Sequence, residues 1–171
     1  MSRLGFDPHL AGSFVEGDAL PVADGSIDVA INVESSHCYP SMPAFLAEVR
    51  RILRPGGFFA FCDFRVTSEL ASLEHAFEQS GLQRLQHRVI TPQVLRALTR
   101  MSDERERLIT AHAPWLLRSA FRDFAAVKNS ALYDKFTNGE LTYVHSLFQR
   151  SVDRGESERR TRSNASPPRL L

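Results

Sequence analysis

The sequence has no C-x-x-C pair, and its two cysteines, Cys38 and Cys62, sit in apolar segments. They read as reduced, buried thiols of a cytosolic protein. Ser35 and Ser36 are not set in a G-x-S-x-G elbow, which argues against serine hydrolysis. His9, His75, His87, His112 and His145 lack metal-ligand spacing, so no zinc site is expected. A G-x-G-x-x-G fingerprint is also missing, which disfavours a nicotinamide-dependent oxidoreductase. No apolar run approaches the roughly 20 residues of a membrane helix. The first ten residues carry no apolar core, so a signal peptide is not expected and the location reads as cytoplasmic. Neither charge sign dominates: 21 Lys and Arg face 20 Asp and Glu, and this balance draws the chain to neither nucleic acid nor an anionic membrane.

What is present is concentrated in residues 14–65. Three short apolar runs, 13–16, 27–33 and 58–64, are continuous rather than alternating, as in strands covered on both faces of a parallel sheet. Between the second and third, Phe45, Leu46, Val49, Ile52 and Leu53 recur at three- and four-residue spacing and predict a helix over 42–53. Arg50, Arg51 and Arg54 load its last turn, where the helix dipole favours cations, and Pro55-Gly56-Gly57 stops it. Strand, helix and strand with a short turn form a right-handed crossover, so the fold class is α/β.

At 171 residues the chain fits one domain. Residues 1–13 read as an irregular lead-in and 14–149 as the domain. Further elements are predicted as a helix over 67–79 and a strand over 82–90 nearer the sheet edge. Residues 91–135 are helical throughout: Thr91-Pro92 opens one helix, Ser102-Asp103-Glu104 a second, and 113–127 makes a third with Trp115, Leu116, Leu117, Phe121 and Phe124. This block is too long for a sheet connection, so 91–138 is read as an inserted helical lid or substrate wall. Asn138-Gly139 turns the chain into a last strand over 140–148. Residues 150–171 have almost nothing to bury and read as a disordered tail.

Candidate chemistry gathers at strand ends, where open α/β sheets bind ligands. Asp18 follows the first run and could accept from an amino group or ribose hydroxyl; a turn former beside Gly17 gives the same pattern. Glu34, His37, Cys38 and Tyr39 follow the second run. An imidazole titrating near neutrality suits taking a proton from a hydroxyl. Asp63 ends the neighbouring strand, about 5 Å away in sheet geometry, and could orient that ring. A structural histidine beside an unrelated carboxylate is the alternative.

The order Gly17-Asp18-Ala19, Leu20-Pro21-Val22, Ser26-Ile27-Asp28 and Arg51-Ile52-Leu53-Arg54-Pro55-Gly56-Gly57 resembles class I S-adenosylmethionine-dependent methyltransferases of the type 11 domain. The stretch from Asn32 through Ser35-Ser36-His37-Cys38-Tyr39-Pro40 looks like the phthiotriolone/phenolphthiotriolone dimycocerosates methyltransferases of mycobacteria. The resemblance implies an S-adenosylmethionine cofactor, with Asp18 facing the adenine, Ala19 beside it, and Asn32, Val33 and Glu34 bordering the methionine end. It implies His37 as base and Asp63 as its partner, and Tyr39, Arg65 and Trp115 as acceptor contacts. The family's strand order is 3-2-1-4-5-7-6, and its glycine-rich turn and ribose-binding acid are not in this sequence. The implied fold is thus an incomplete Rossmann-like sheet without the first two strands, carrying a helical insertion before the last strand. In such a sheet 27–33 becomes an exposed apolar edge, open to pairing with a second copy. The implied function is O-methylation of a hydroxylated lipid or glycoside-like small molecule. The alternative is a non-catalytic remnant acting as an interaction protein through that edge.

Overall fold

The computed structural model describes residues 20–152. The strand expected at 14–16, the candidates Asp18 and Ala19, and all but the first residues of the expected tail lie outside them. The elements are β1 (Ile27–Val33), α1 (Met42–Ile52), β2 (Leu53–Val66), α2 (Leu70–Gln79), β3 (Leu82–Val89), α3 (Thr91–His112), α4 (Arg118–Phe124), α5 (Ala131–Thr137) and β4 (Leu141–Arg150). They form a four-stranded mixed sheet in the order β1-β2-β4-β3. β1 and β2 run parallel, whereas β4 is antiparallel to both β2 and β3. The fold is α/β, and β3 lies at an edge as its alternating pattern predicts.

Side chains alternate across the sheet, so each face has its own residues. Phe59 and Phe61 of β2 and Val144 and Phe148 of β4 point to one face and are buried there. Phe45, Leu46 and Val49 of α1 and Leu73, Ala76 and Phe77 of α2 cover them, making the main core. Phe77 packs edge-on to Phe61 at 5.0 Å and tilted to Phe148 at 4.8 Å, geometries that aromatic rings favour. On the other face, Phe64 and Tyr143 are covered by α3 and α5 through Val94, Leu95, Leu132 and Phe136. Below them Val29, Ile31 and Val33 are 52%, 72% and 58% exposed, and Phe58 is 37% exposed. Among the described residues the expectation that this strand is covered on both faces therefore fails, and the expectation of an exposed apolar edge holds.

Two helix boundaries differ from the sequence reading. α3 runs unbroken through Ser102, because the Ser102 side chain is buried and accepts from the Lys128 N–H rather than capping a new helix. The expected third helix is instead a short turn at Trp115–Leu117, then α4, then α5. Its start is fixed by Pro114 and its break by Ala126 and Asn129, both at positive φ. The end of α1 is capped from a distance: the Arg150 Nη1 donates to the carbonyls of Leu53 (2.5 Å), Arg50 (3.0 Å) and Arg51 (3.3 Å). Cys38 is exposed and Cys62 half-buried, both free, so the expectation of two buried thiols holds poorly for Cys38. It lies on a surface turn after Ser36 and His37, which take the inward positions.

Gly57 lies inside β2 where its register against β1 shifts, between the Ile27–Leu53 and Val29–Phe58 pairs. A Cβ there would lie 2.9 Å from the Arg54 carbonyl oxygen, 3.1 Å from that of Asp28 and 3.2 Å from that of Ile27. These are backbone atoms on both paired strands, with no flexible side chain to yield. Gly57→Ala is expected to cost about 1–3 kcal/mol, read as a lowered urea midpoint. Gly139→Ala tests a different term: φ is +82° with nothing within 4 Å of the new Cβ. It should lose only about 1 kcal/mol of backbone strain energy.

Candidate active site

β1 and β2 end side by side, with Asn32 paired to Phe61 and Val33 to Cys62. The Glu34 N–H donates to the Cys62 carbonyl at 3.0 Å, and Glu34 then adopts φ +48°, a left-handed conformation uncommon outside glycine. That reversal sends the chain over the end of β2 as the short turn Ser36–Cys38. Asp63 meets it there, fully buried.

A buried carboxylate persists only when its oxygens are satisfied. The Ser36 hydroxyl donates to Asp63 Oδ2 at 2.7 Å and the His37 N–H to the same oxygen at 3.1 Å. The Phe64 N–H donates to Oδ1 at 2.8 Å, and His37 Nδ1 lies 2.8 Å from Oδ1. Arg65 Nη1 adds charge 3.3 Å from Oδ2. Burial alone pushes the Asp63 carboxyl up, but the bonds from Ser36, His37 and Phe64 and the Arg65 charge outweigh it and hold it below the usual carboxylate range. With Nδ1–H bonded to an ionised Asp63, a neutral His37 carries its lone pair on Nε2. The ring is fixed by stacking on Phe64 at 4.4 Å, and its side chain is 28% exposed. The two residues expected to pair are brought together, and among the described residues Nε2 has no hydrogen-bond partner at a cavity wall.

That cavity, about 560 Å³, is lined by Glu34, His37, Phe64, Val94, Leu98, Arg105, Phe124, Leu132, Phe136 and Tyr143, with Ala125 and Ala126. Glu34 accepts from the Tyr143 hydroxyl. Burial, and then the Glu34 bond and charge, raise the Tyr143 phenol well above its usual range, so it remains a donor. A second cavity of about 870 Å³ meets His37 from the other side, walled by Ser36, Tyr39, Met42, Arg65, Glu69 and His75 among others.

The other expected site residues divide. Asn32 is buried; its Nδ2 donates to the Ser35 hydroxyl at 2.6 Å and the Tyr39 hydroxyl at 3.3 Å, while its Oδ1 has no partner. Val33 lies exposed beside it. Tyr39 borders the larger cavity and donates to Ser35 at 3.0 Å. Arg65 is buried and engaged: Nη2 donates to Ser36 Oγ at 2.8 Å and Nη1 to the Phe64 carbonyl at 2.7 Å. It acts on Asp63 and Ser36 and borders the larger cavity. Trp115 is 75% exposed and lines neither cavity. The helical block reaches the smaller cavity through Val94, Leu98, Arg105, Phe124, Leu132 and Phe136 instead. Sequence reasoning missed Ser36, Tyr143 and Arg105. Ser36 was within reach: an aspartate buried at a strand end requires several donors, and the hydroxyl beside His37 is the nearest.

Residues 3–61 match the methyltransferase domain family. Over 132 residues the chain is 45% identical to the phthiotriol/phenolphthiotriol dimycocerosates methyltransferase of Mycobacterium leprae, covering 76% of this chain and 49% of that protein. It is 38% identical over 138 residues to a fatty-acid O-methyltransferase of Mycolicibacterium smegmatis, covering 79% of this chain and 50% of that one. Its fold is similar to that of a phosphoethanolamine N-methyltransferase from Haemonchus contortus, with TM-score 0.64, 15% identity, and coverage of 78% of this chain and 36% of that one. By sequence the chain is similar to these methyltransferases, and its α/β fold is that of the class I methyltransferases. It spans about half the length of the curated relatives it matches.

Removing the Asp63 charge should strip the buried donors of their acceptor. Asp63→Asn is expected to cost roughly 3 kcal/mol at neutral pH, measured by urea unfolding. Because the folded carboxyl titrates below its unfolded value, its contribution is complete above about pH 3.9 and is lost as pH falls through the folded value. The gap between wild type and variant should therefore narrow below about pH 3.9.

Proposed function

We propose that this chain carries the acceptor side of an S-adenosylmethionine-dependent O-methyltransferase acting on a hydroxylated lipid or glycoside-like small molecule. The observation that carries this reading is the His37–Asp63 pair, 2.8 Å apart, at the wall of a largely apolar cavity. His37 Nε2 takes the hydroxyl proton as the oxygen attacks, and Asp63 stabilises the imidazolium that results. Phe64 beneath the ring and Ser36 and Arg65 around Asp63 hold this geometry, so most of the gain comes from positioning. The names of the relatives, one a phthiotriol and one a fatty-acid methyltransferase, support a lipid acceptor.

The residues at the end of β1 fit one wall of the cofactor site. Asn32 carries a buried Oδ1 with no protein donor, and Val33 offers an exposed apolar side chain beside it. Glu34 completes that border, and the proposal extends to Asp18 and Ala19. When bound, S-adenosylmethionine supplies the methyl group on a sulfonium. The relative fold in Haemonchus contortus was solved with S-adenosylhomocysteine, which supports the assignment. Residues 91–138 serve as the lid or substrate wall, lining the cavity through Val94, Leu98, Phe124, Leu132 and Phe136, while Trp115 lies on the outer surface.

One observation favours a second reading, an interaction protein without catalysis: the exposed row of Val29, Ile31 and Val33 on β1, suited to pairing with a second copy.

Three measurements separate the two. Calorimetric titration of the chain with S-adenosylhomocysteine should give binding that His37→Ala leaves unchanged. Methyl transfer to a hydroxylated lipid should fall about 10²–10⁴-fold in His37→Ala. A folded chain that binds no S-adenosylhomocysteine would overturn the enzymatic reading of this chain. In sedimentation, Ile31→Lys should abolish any self-association without lowering the urea midpoint; a dimer that persists would rule out pairing through β1.

A further inference from the structure

The cavity beside His37 holds one carboxyl and one guanidinium side chain in a largely apolar wall, Glu34 and Arg105. Glu34 is occupied by the Tyr143 hydroxyl. Arg105 is half-buried, and Nη1 donates to the Ala125 carbonyl at 2.5 Å. No carboxylate among the described residues forms an ion pair with it. Its own helix offers none, since the positions three and four residues away are Ser102, Met101, Leu108 and Ile109. The arginines around it are matched: Arg107 with Glu104, and Arg122 with Glu106. A guanidinium has five N–H donors, and withdrawing it among Leu98, Phe124 and Ala126 costs hydration that one carbonyl does not return.

Its place along the cavity is set by α3. Val94 packs in the cluster with Phe64, on whose ring His37 stacks at 4.4 Å. Arg105 lies eleven residues further along the same helix, about 16 Å at the helical rise. Its side chain leans back toward the helix N-terminus, which shortens that span.

We propose that Arg105 binds a carboxylate on the acceptor, at the end remote from the hydroxyl that meets His37. The acceptor is then a hydroxylated long-chain carboxylic acid, held by charge at one end and presented at the other. This rests on the reading of the cavity as the acceptor's seat.

The test is displacement of a neutral naphthylamine dye from the full chain by dodecanoate, dodecanol and methyl dodecanoate. Dodecanoate should displace the dye at about tenfold lower concentration than the two uncharged ligands, as one charge-assisted pair provides. Arg105→Gln should erase that preference while leaving dodecanol unchanged, and Arg105→Lys should restore part of it. Should Arg105→Gln fail to fold, the wild type still decides: the preference must vanish as pH falls below the carboxylate range of about 4–5. Equal displacement by all three ligands, or a preference that survives Arg105→Gln, overturns the inference alone. No displacement by any ligand overturns the acceptor seat and the inference together.

Discussion

A full negative charge sits at the end of β2 with no access to water, and much of the site exists to satisfy it. Asp63 recruits a hydroxyl, two backbone amides, an imidazole and a guanidinium from two stretches of chain, 36–37 and 64–65. That requirement draws the Ser36–Cys38 turn onto the sheet and selects the tautomer of His37. It also explains why Arg65 is buried: its second nitrogen holds Ser36, so the hydroxyl that serves Asp63 is itself fixed. The same network that makes the site rigid turns the outer nitrogen of the imidazole toward the cavity. Stability and chemistry here draw on one set of bonds.

The sheet divides the labour between its faces. α1 and α2 seal one side with a phenylalanine-rich core, giving Asp63 a stable platform. The other side is closed only near the strand ends, by α3 and α5, and this partial cover leaves space beside His37. Helices α4 and α5 are seven residues each, too short to be stable alone, so α5 depends on the sheet it covers and α4 on α3 and α5, against which it packs.

Local patterning made most of this legible. Continuous apolar runs marked β1 and β2 and a three–four periodicity marked α1, but Pro55-Gly56-Gly57, expected to stop that helix, lies inside β2, which begins at Leu53. The proximity of His37 and Asp63 followed from two strand ends in one parallel pair. What was not legible depended on distant partners. Ser102 looks like a helix start because its side chain commonly caps one; only the Lys128 amide, 26 positions away, turns it inward. Trp115 looks like a ligand contact because of its size, yet Pro114 and the short turn leave it facing outward. Arg105 reads as one more charge on a polar helix until the fold shows that, among the described residues, no acid pairs with it.

The position of β4 bears on how the molecule reaches this state. β4 is the last described strand, yet it lies inside the sheet, between β2 and β3. Until residues 141–150 arrive, β3 has no neighbour and β2 has an open side. Closing the sheet requires contacts such as Gln149 to Gly56, 93 positions apart, and chain closures of that length slow folding. A nascent chain leaving the ribosome would therefore expose both edges until synthesis passes Arg150. During that interval it is vulnerable to proteases and to mispairing.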